Sequence, residues 1–271
     1  MQQKMIAFIG GGNMAQAMVF GLLNKGYPAN KLIVCDRNAH KRELFAEKNV
    51  RVDLSNLAAV EKAEVIVLAV KPQAMAETCR ALSAVDFSQK LVISIAAGIS
   101  IARISSLLPT AQSIVRVMPN TPALVSEGMA GLYGKSTLSE EYRQFAEALL
   151  NAVGETYWAA NEEEMHVVTA ASGSSPAYFF LFMEMMQKAL VEMGISAENA
   201  RTLVQQSAFG ATKMVVNNPQ LDLSTLRENV TSKGGTTAAA LAVFNQQQLE
   251  QIVKQAMQAC VARSKEMEKL F

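Results

Sequence analysis

"FIGGGNMAQA", residues Phe8 to Ala17, decides the fold. It sets Gly10, Gly12 and Ala15 in the order G-x-G-x-x-A, directly after the apolar run Met5–Ile9 and directly before the helically spaced segment Asn13–Lys25. A dinucleotide loop needs this strand–turn–helix context. The first glycine permits the tight turn, the second lets a pyrophosphate approach the backbone, and the small third residue keeps the helix close to the sheet. The free N–H groups at the helix start would hold the anion. Gly11, Asn13 and Met14 belong to the same cofactor-facing stretch. The plain alternative is a tight turn with no ligand, so the rest of the N-terminal half has to separate the two.

That half alternates. Leu32–Cys35, Val65–Val70, Leu91–Ile95 and Ser113–Val117 are further apolar strand-like runs, and "GETYWAA" reads as an added edge strand. Between them, Asn38–Lys48, Gln73–Leu82 and Ile101–Leu108 carry helical spacing. Strands this uniformly apolar are covered on both faces, which predicts a parallel sheet flanked by helices. Asp36 ends the second strand, where a carboxylate accepts from ribose hydroxyls of NAD. Arg37 follows it, with Asn38, Lys41 and Arg42 nearby, and these donors favour the 2′-phosphate of NADP. The expected cofactor is therefore NADP with NADPH preferred and NADH possible. Strand ends carry ligands in such sheets, which adds Ala69, Val70, Lys71 and Pro72 from "LAVKPQ" to the cofactor set, with Asn56. The small residues Ala96, Ala97 and Gly98 would let a nicotinamide ring come close, and Asn120 and Thr121 offer hydrogen bonds at the same edge.

The pattern changes at about Glu162. Beyond it strand signals vanish, and Ser175–Met193, Ala197–Val216 and Gln247–Leu270 read as helices. The expected architecture is an α/β Rossmann-type dinucleotide-binding domain over 1–161, followed by an all-α dimerisation domain over 162–271. Stripes of Met and Phe at helical spacing usually mean core. Here they exceed what one small helical domain can bury, so a homodimer or higher homo-oligomer through the C-terminal helices is expected.

Composition excludes several classes. Hydrophobic residues make up 50% of the chain and charged residues 18%, so a sizeable core is available; the net charge of +1 gives no basic stripe for nucleic acid. Cys35, Cys79 and Cys260 are far apart with no Cys-x-x-Cys pair, so no metal site is expected. "AYFFLFMEMM" is too short for a membrane span and is broken by Glu184. The N-terminus reads as a strand rather than a signal peptide, which makes a cytoplasmic protein the expectation.

A catalytic base is hard to find. Of the two histidines, His40 lies in a basic helix start and His166 reads as structural. Alcohol oxidation needs a group to take the hydroxyl proton. In "SGSSPAYFF", Phe179 and Phe180 stand where hydroxyacid dehydrogenases carry a Lys.

"GGGNMA", "AVKPQ", "SIAAGIS", "VRVMPNTPA", "SGSSPAY" and "NVTSKGGTT" occur in the order seen in pyrroline-5-carboxylate reductases, and the chain resembles that family over essentially its whole length. The resemblance implies NAD(P)H-dependent reduction of a five-membered cyclic imine bearing a carboxylate, the last step of proline synthesis. It implies that Asn229, Ser232, Gly234, Gly235, Thr236 and Thr237 line the carboxylate and ring. Thr237 is then the catalytic hydroxyl near the ring nitrogen, Glu162 an acidic neighbour of the substrate, and Ser174 and Ser175 groups available to the site. A glycine-rich turn before a helix suits a carboxylate, because bare N–H groups and hydroxyls hold anions. A protonated imine also removes the need for a strong acid. Many relatives have Pro where this chain has Lys233. Two other readings stay open: a reductase of another small cyclic imine, and a non-catalytic NADP-binding sensor of the same fold.

Overall fold

The computed structural model describes residues 2–270. Its central sheet has eight strands: β1 (Ile6–Ile9), β2 (Leu32–Cys35), β3 (Arg51–Asp53), β4 (Val65–Leu68), β5 (Leu91–Ser94), β6 (Ser113–Met118), β7 (Gly128–Gly134) and β8 (Gly154–Trp158). They run in the order β3-β2-β1-β4-β5-β6-β7-β8. β3 through β6 pair in parallel, as the uniformly apolar runs predict. β7 departs from that expectation by pairing antiparallel to β6, and β8 then pairs parallel to β7.

Two strands escaped the sequence reading for physical reasons. β3 is a short edge strand with Arg51 and Val52 exposed, so it carries no apolar run. β7, "GMAGLYG", reads as a loop because of its glycines. At Gly131 a side chain would meet Val168 Cγ1 at 2.3 Å, so the glycine marks close approach rather than a turn.

Helices cover both faces: α1 (Asn13–Asn24), α2 (Ala39–Ala46), α3 (Asn56–Lys62), α4 (Pro72–Ala81), α5 (Ile101–Leu107) and α6 (Glu140–Leu150). Their starts are written locally. Asn38, Ser55, Ser100 and Ser139 each accept a backbone N–H as N-caps, and Pro72 occupies the first turn of α4. Alternation along β1 divides the core. Ile6 and Phe8 join Met18, Leu22 and Phe45 on one side, while Ala7 and Ile9 join Ile66, Met75 and Phe87 on the other.

α7 (Glu164–Val168) continues into a widened π-helical turn, Thr169–Gly173, before α8 (Ser175–Glu192). Four helices follow: α9 (Ala197–Asn217), α10 (Leu223–Asn229), α11 (Thr236–Gln246) and α12 (Leu249–Leu270). The chain groups into two units, Met1–Pro176 with Ala259–Phe271, and Ala177–Gln258. The boundary between 161 and 162 read from the sequence thus lies ahead of the point where the units part. Within the second unit Ala200 and Val204 are the only buried hydrophobics among the described residues, while Phe179, Phe180, Phe209 and Met193 are exposed. No described helix is long and apolar enough to cross a membrane.

Candidate active site

The loop after β1 has the geometry the glycines require. Gly10 takes φ +108°, and a Cβ there would lie 2.5 Å from the Ala69 carbonyl oxygen, so only glycine fits. A Cβ at Gly12 would meet nothing within 4 Å, so its backbone faces open space. Gly12 also begins α1 with no side-chain cap, which leaves the first N–H groups of the helix free for an anion. Asn13 and Met14 form that first turn, with Asn13 exposed and Met14 half-buried.

A groove of about 330 Å³ opens above this loop. Gly10, Gly12, Asp36 and Arg37 line one side. Asn56, Ala69, Val70 and Lys71 line it from the β3 exit and the end of β4. Pro72 stands just behind as the first residue of α4. An open glycine backbone, an uncapped helix start and acidic and basic groups at the β2 end fit a dinucleotide.

The donors that favour NADP have specific partners. Asp36 accepts from Gly11 N and Asn38 N at 2.8 Å each and faces Lys41 Nζ at 3.5 Å. Burial alone would raise the Asp36 carboxyl, but the Asn38 and Gly11 N–H groups and the Lys41 ammonium outweigh it and hold the group below the usual range. Asn38 spends its side chain capping α2 through Lys41 N, rather than facing the groove. Arg42 Nη1 donates to the carbonyls of Asp36 and Arg37 at 2.7 and 3.1 Å, so this nitrogen stiffens the β2 exit. Arg37 reaches across the groove mouth to Glu77 at 3.0 Å. Glu77, with Ala74 and Thr78, comes from α4 and was not singled out in the sequence. Helical spacing from Pro72 would have aimed these residues at the groove.

At the next strand ends the small residues have a second duty. Ala96 is buried and Ala97 half-buried, while Gly98 has φ +70° and its missing Cβ would lie 3.2 Å from Met267 Cβ. Gly98 therefore admits the last turns of α12. Asn120 is buried, and its side chain is already committed. Its Nδ2 donates to the Ser172 carbonyl at 3.1 Å, and its Oδ1 accepts from Met129 N at 2.9 Å. In α-helical spacing the partner of the Ser172 carbonyl would be the amide of residue 176, which is Pro and has none. Asn120 supplies the missing donor and so fixes the turn that carries Ser174 and Ser175. Each of its two polar side-chain atoms keeps one further hydrogen-bonding position, a second N–H on Nδ2 and a second lone pair on Oδ1. Ser174 lies 3.4 Å from Cys260 Sγ, and Ser175 opens α8.

The polar stretch of the helical unit is a tight turn. Asn229 ends α10, Gly234 takes φ +73°, and Gly235 N donates to the Ser232 carbonyl at 3.0 Å. A Cβ on Gly235 would lie 2.4 Å from Ser232 Oγ. Gly235 is the N-cap of α11, with no side-chain cap, so the amides of Thr236 and Thr237 begin the helix without intrahelical partners. Ser232, Lys233 and Gly234 are exposed, and Thr237 is half-buried. The helix starts at Thr236.

Residues 162–267 match the family model described as pyrroline-5-carboxylate reductase dimerisation, and residues 5–98 match one described as NADP oxidoreductase coenzyme F420-dependent. The pyrroline-5-carboxylate reductases of Pasteurella multocida and Haemophilus influenzae are each 65% identical to the chain, with 100% of both chains covered. The chain belongs to the pyrroline-5-carboxylate reductase family. Its fold agrees with that of the solved Coxiella burnetii pyrroline-5-carboxylate reductase at TM-score 0.92, 38% identity and 98% and 99% coverage. A Plasmodium falciparum pyrroline carboxylate reductase with NADP bound is similar at TM-score 0.87 and 28% identity, covering 99% of each chain.

Set against that family, Glu162 is unexpectedly occupied. Its Oε1 accepts from Ile101 N at 2.7 Å and from Arg116 Nη1 at 3.1 Å, so this oxygen anchors α5 and a buried guanidinium. His166 is buried, with Nε2 2.8 Å from Glu268 and Nδ1 2.9 Å from Ser264 Oγ. Burial pushes its proton affinity down, Glu268 opposes, and Arg116 adds to the lowering, so the ring sits below its ordinary range and is neutral near neutral pH. Nε2–H then donates to Glu268, and Nδ1 accepts from Ser264. Sequence reasoning missed Arg116, Ser264 and Glu268. The one available signal was an arginine inside the apolar run "SIVRVM".

Proposed function

We infer that the chain reduces 1-pyrroline-5-carboxylate to L-proline, with NADPH as the preferred hydride donor. The observation that carries this reading is the uncapped glycine turn at 232–237, in a chain of this family whose β1 loop fits a dinucleotide. The cofactor supplies a hydride at the nicotinamide C4. Everything else falls to the protein. The open amides at the start of α11 hold the substrate carboxylate, with Ser232 and Thr236 adding hydroxyls. Thr237 orients the ring nitrogen. Asn229 closes the turn from the end of α10.

A protonated imine carries positive charge at its C=N bond, and the arriving hydride neutralises it at the carbon. No side chain has to deliver a strong acid, so positioning dominates. This agrees with the lack of a free His: His40 is exposed beside Glu43, and His166 is held by Glu268 and Ser264. Ser174 and Ser175, set by Asn120, are further polar groups for the site.

Asp36 supports NADH as a second donor, since its carboxylate at the groove suits free ribose hydroxyls. Arg37 and Lys41 favour the extra phosphate of NADPH. A homodimer through the C-terminal helices accounts for the exposed Phe179, Phe180 and Phe209. Three unpaired cysteines suit a reducing cytoplasm.

The test is NADPH oxidation with 1-pyrroline-5-carboxylate, run beside its six-membered homologue, with proline quantified. One proline per NADPH consumed is expected. Turnover of the larger ring alone would move the substrate class, and no turnover with either would leave the sensor reading.

A further inference from the structure

Arg116 is 3% exposed in the middle of β6, an expensive place for a guanidinium. Its Nη1 meets Glu162 Oε1 at 3.1 Å and Glu268 Oε2 at 3.3 Å. Glu268 Oε2 also accepts from His166 Nε2 at 2.8 Å, and His166 Nδ1 contacts Ser264 Oγ at 2.9 Å. Lys265 and Glu163 pair at the rim. Five segments thus converge: β6, the turn before α7, α7 itself, the start of α5 and the end of α12.

The cluster grips one loop at two points. Glu162 holds the amide of Ile101, the first residue of α5. Beside Glu268, Met267 Cβ stands 3.2 Å from where a Gly98 side chain would begin, and the Glu268 amide is 3.5 Å away. Loop 95–100 is the exit of β5, at the edge of the sheet where dinucleotide halves lie. Apolar packing would attach a helix end at lower desolvation cost. A buried joint of one guanidinium and two carboxylates fixes orientation as well.

We propose that Glu268 is a positioning residue for the nicotinamide half of the cofactor: through Arg116, Glu162 and His166 it clamps the last turn of α12 against Gly98 and holds the β5-exit loop in its binding shape. The proposal rests on the NADPH reading above. It separates the cofactor into two halves with different dependence on α12. The adenosine half binds at β1, β2 and α4, away from the joint. The nicotinamide half depends on it.

The experiment compares wild type with Glu268→Ala, Glu268→Gln and the exposed control Glu266→Ala, whose side chain pairs with Arg263 at 2.8 Å. Dissociation constants for NADPH and for adenosine 2′,5′-bisphosphate are measured by calorimetry on the full chain, with kcat and KM alongside. In Glu268→Ala, NADPH affinity falls about tenfold, the size of one lost charged hydrogen bond, while bisphosphate affinity stays within about twofold. kcat falls and Glu266→Ala matches wild type. Equal weakening of both ligands, or weakening of neither, overturns the proposal. If Glu268→Ala does not fold, Glu268→Gln keeps the shape, loses the charge and is held to the same selective criterion. A wild type that binds the bisphosphate but not NADPH would instead count against the NADPH reading.

Discussion

Arg37→Ala is the most informative perturbation of cofactor choice. Arg37 Nη2 lies 3.0 Å from Glu77 Oε1, with the two side chains 92% and 72% exposed. An exposed pair of this kind contributes at most about 1 kcal/mol, so Glu77 is a weak competitor for the guanidinium. A hydrogen bond from a charged donor to a phosphate contributes about 1.5–3 kcal/mol. After subtracting the lost Glu77 pair, removal of the side chain should cost NADPH about 1–2 kcal/mol, or roughly 5- to 30-fold in kcat/KM. NADH has no 2′-phosphate and should change less than about twofold. Steady-state kinetics with both donors at fixed substrate measures the difference. Glu77→Gln is the converse: freeing Arg37 should improve kcat/KM for NADPH by up to about fivefold. Equal losses with the two donors in Arg37→Ala, or a weaker NADPH response in Glu77→Gln, would refute Arg37 as the phosphate ligand.

Three further outcomes follow from the same structure. Ser94 Oγ is fully buried with no hydrogen-bond partner, so Ser94→Ala should raise stability by about 1 kcal/mol; a fall in denaturant midpoint would mean the hydroxyl has a partner after all. His166 binds its proton less readily folded than unfolded, so stability from this group is present above its ordinary pKa near 6.5 and is lost as pH falls through that value; His166→Asn should flatten this part of a melting-temperature profile, and an unchanged slope would contradict it. Burial pushes the Cys35 thiol up to about 12 and the Cys79 thiol to about 11, so neither should be alkylated at mildly alkaline pH before unfolding, as mass spectrometry of the labelled chain can check.

Local signals in the sequence reached as far as local physics does. The order of strand, glycine turn and helix at 6–24 was legible because backbone geometry and N-terminal amides leave a residue pattern. The serine and asparagine caps are local signals of the same kind. Long-range chemistry was not legible. Nothing near Asn120 announces that Pro176 leaves a carbonyl without its donor, 52 residues from the side chain that supplies one. Nor does anything near Arg42 announce that its Nη1 bonds the Asp36 and Arg37 carbonyls. The same holds for Glu162, one of whose oxygens, Oε1, is shared by Arg116 and the Ile101 amide. β7 was hidden because its glycines answer to close neighbours (Val168 of α7 at Gly131, Ala123 at Gly128, Leu138 at Gly134) rather than to turn propensity. The polar turn at 229–237 was legible as a glycine turn opening an uncapped helix because every group that shapes it is local.

A crystal structure with NADP and L-proline bears most directly on the account. The proline carboxylate should lie on the amides at the start of α11, within hydrogen-bond reach of Thr236 and Thr237. A proline bound elsewhere, with that turn empty, would contradict it.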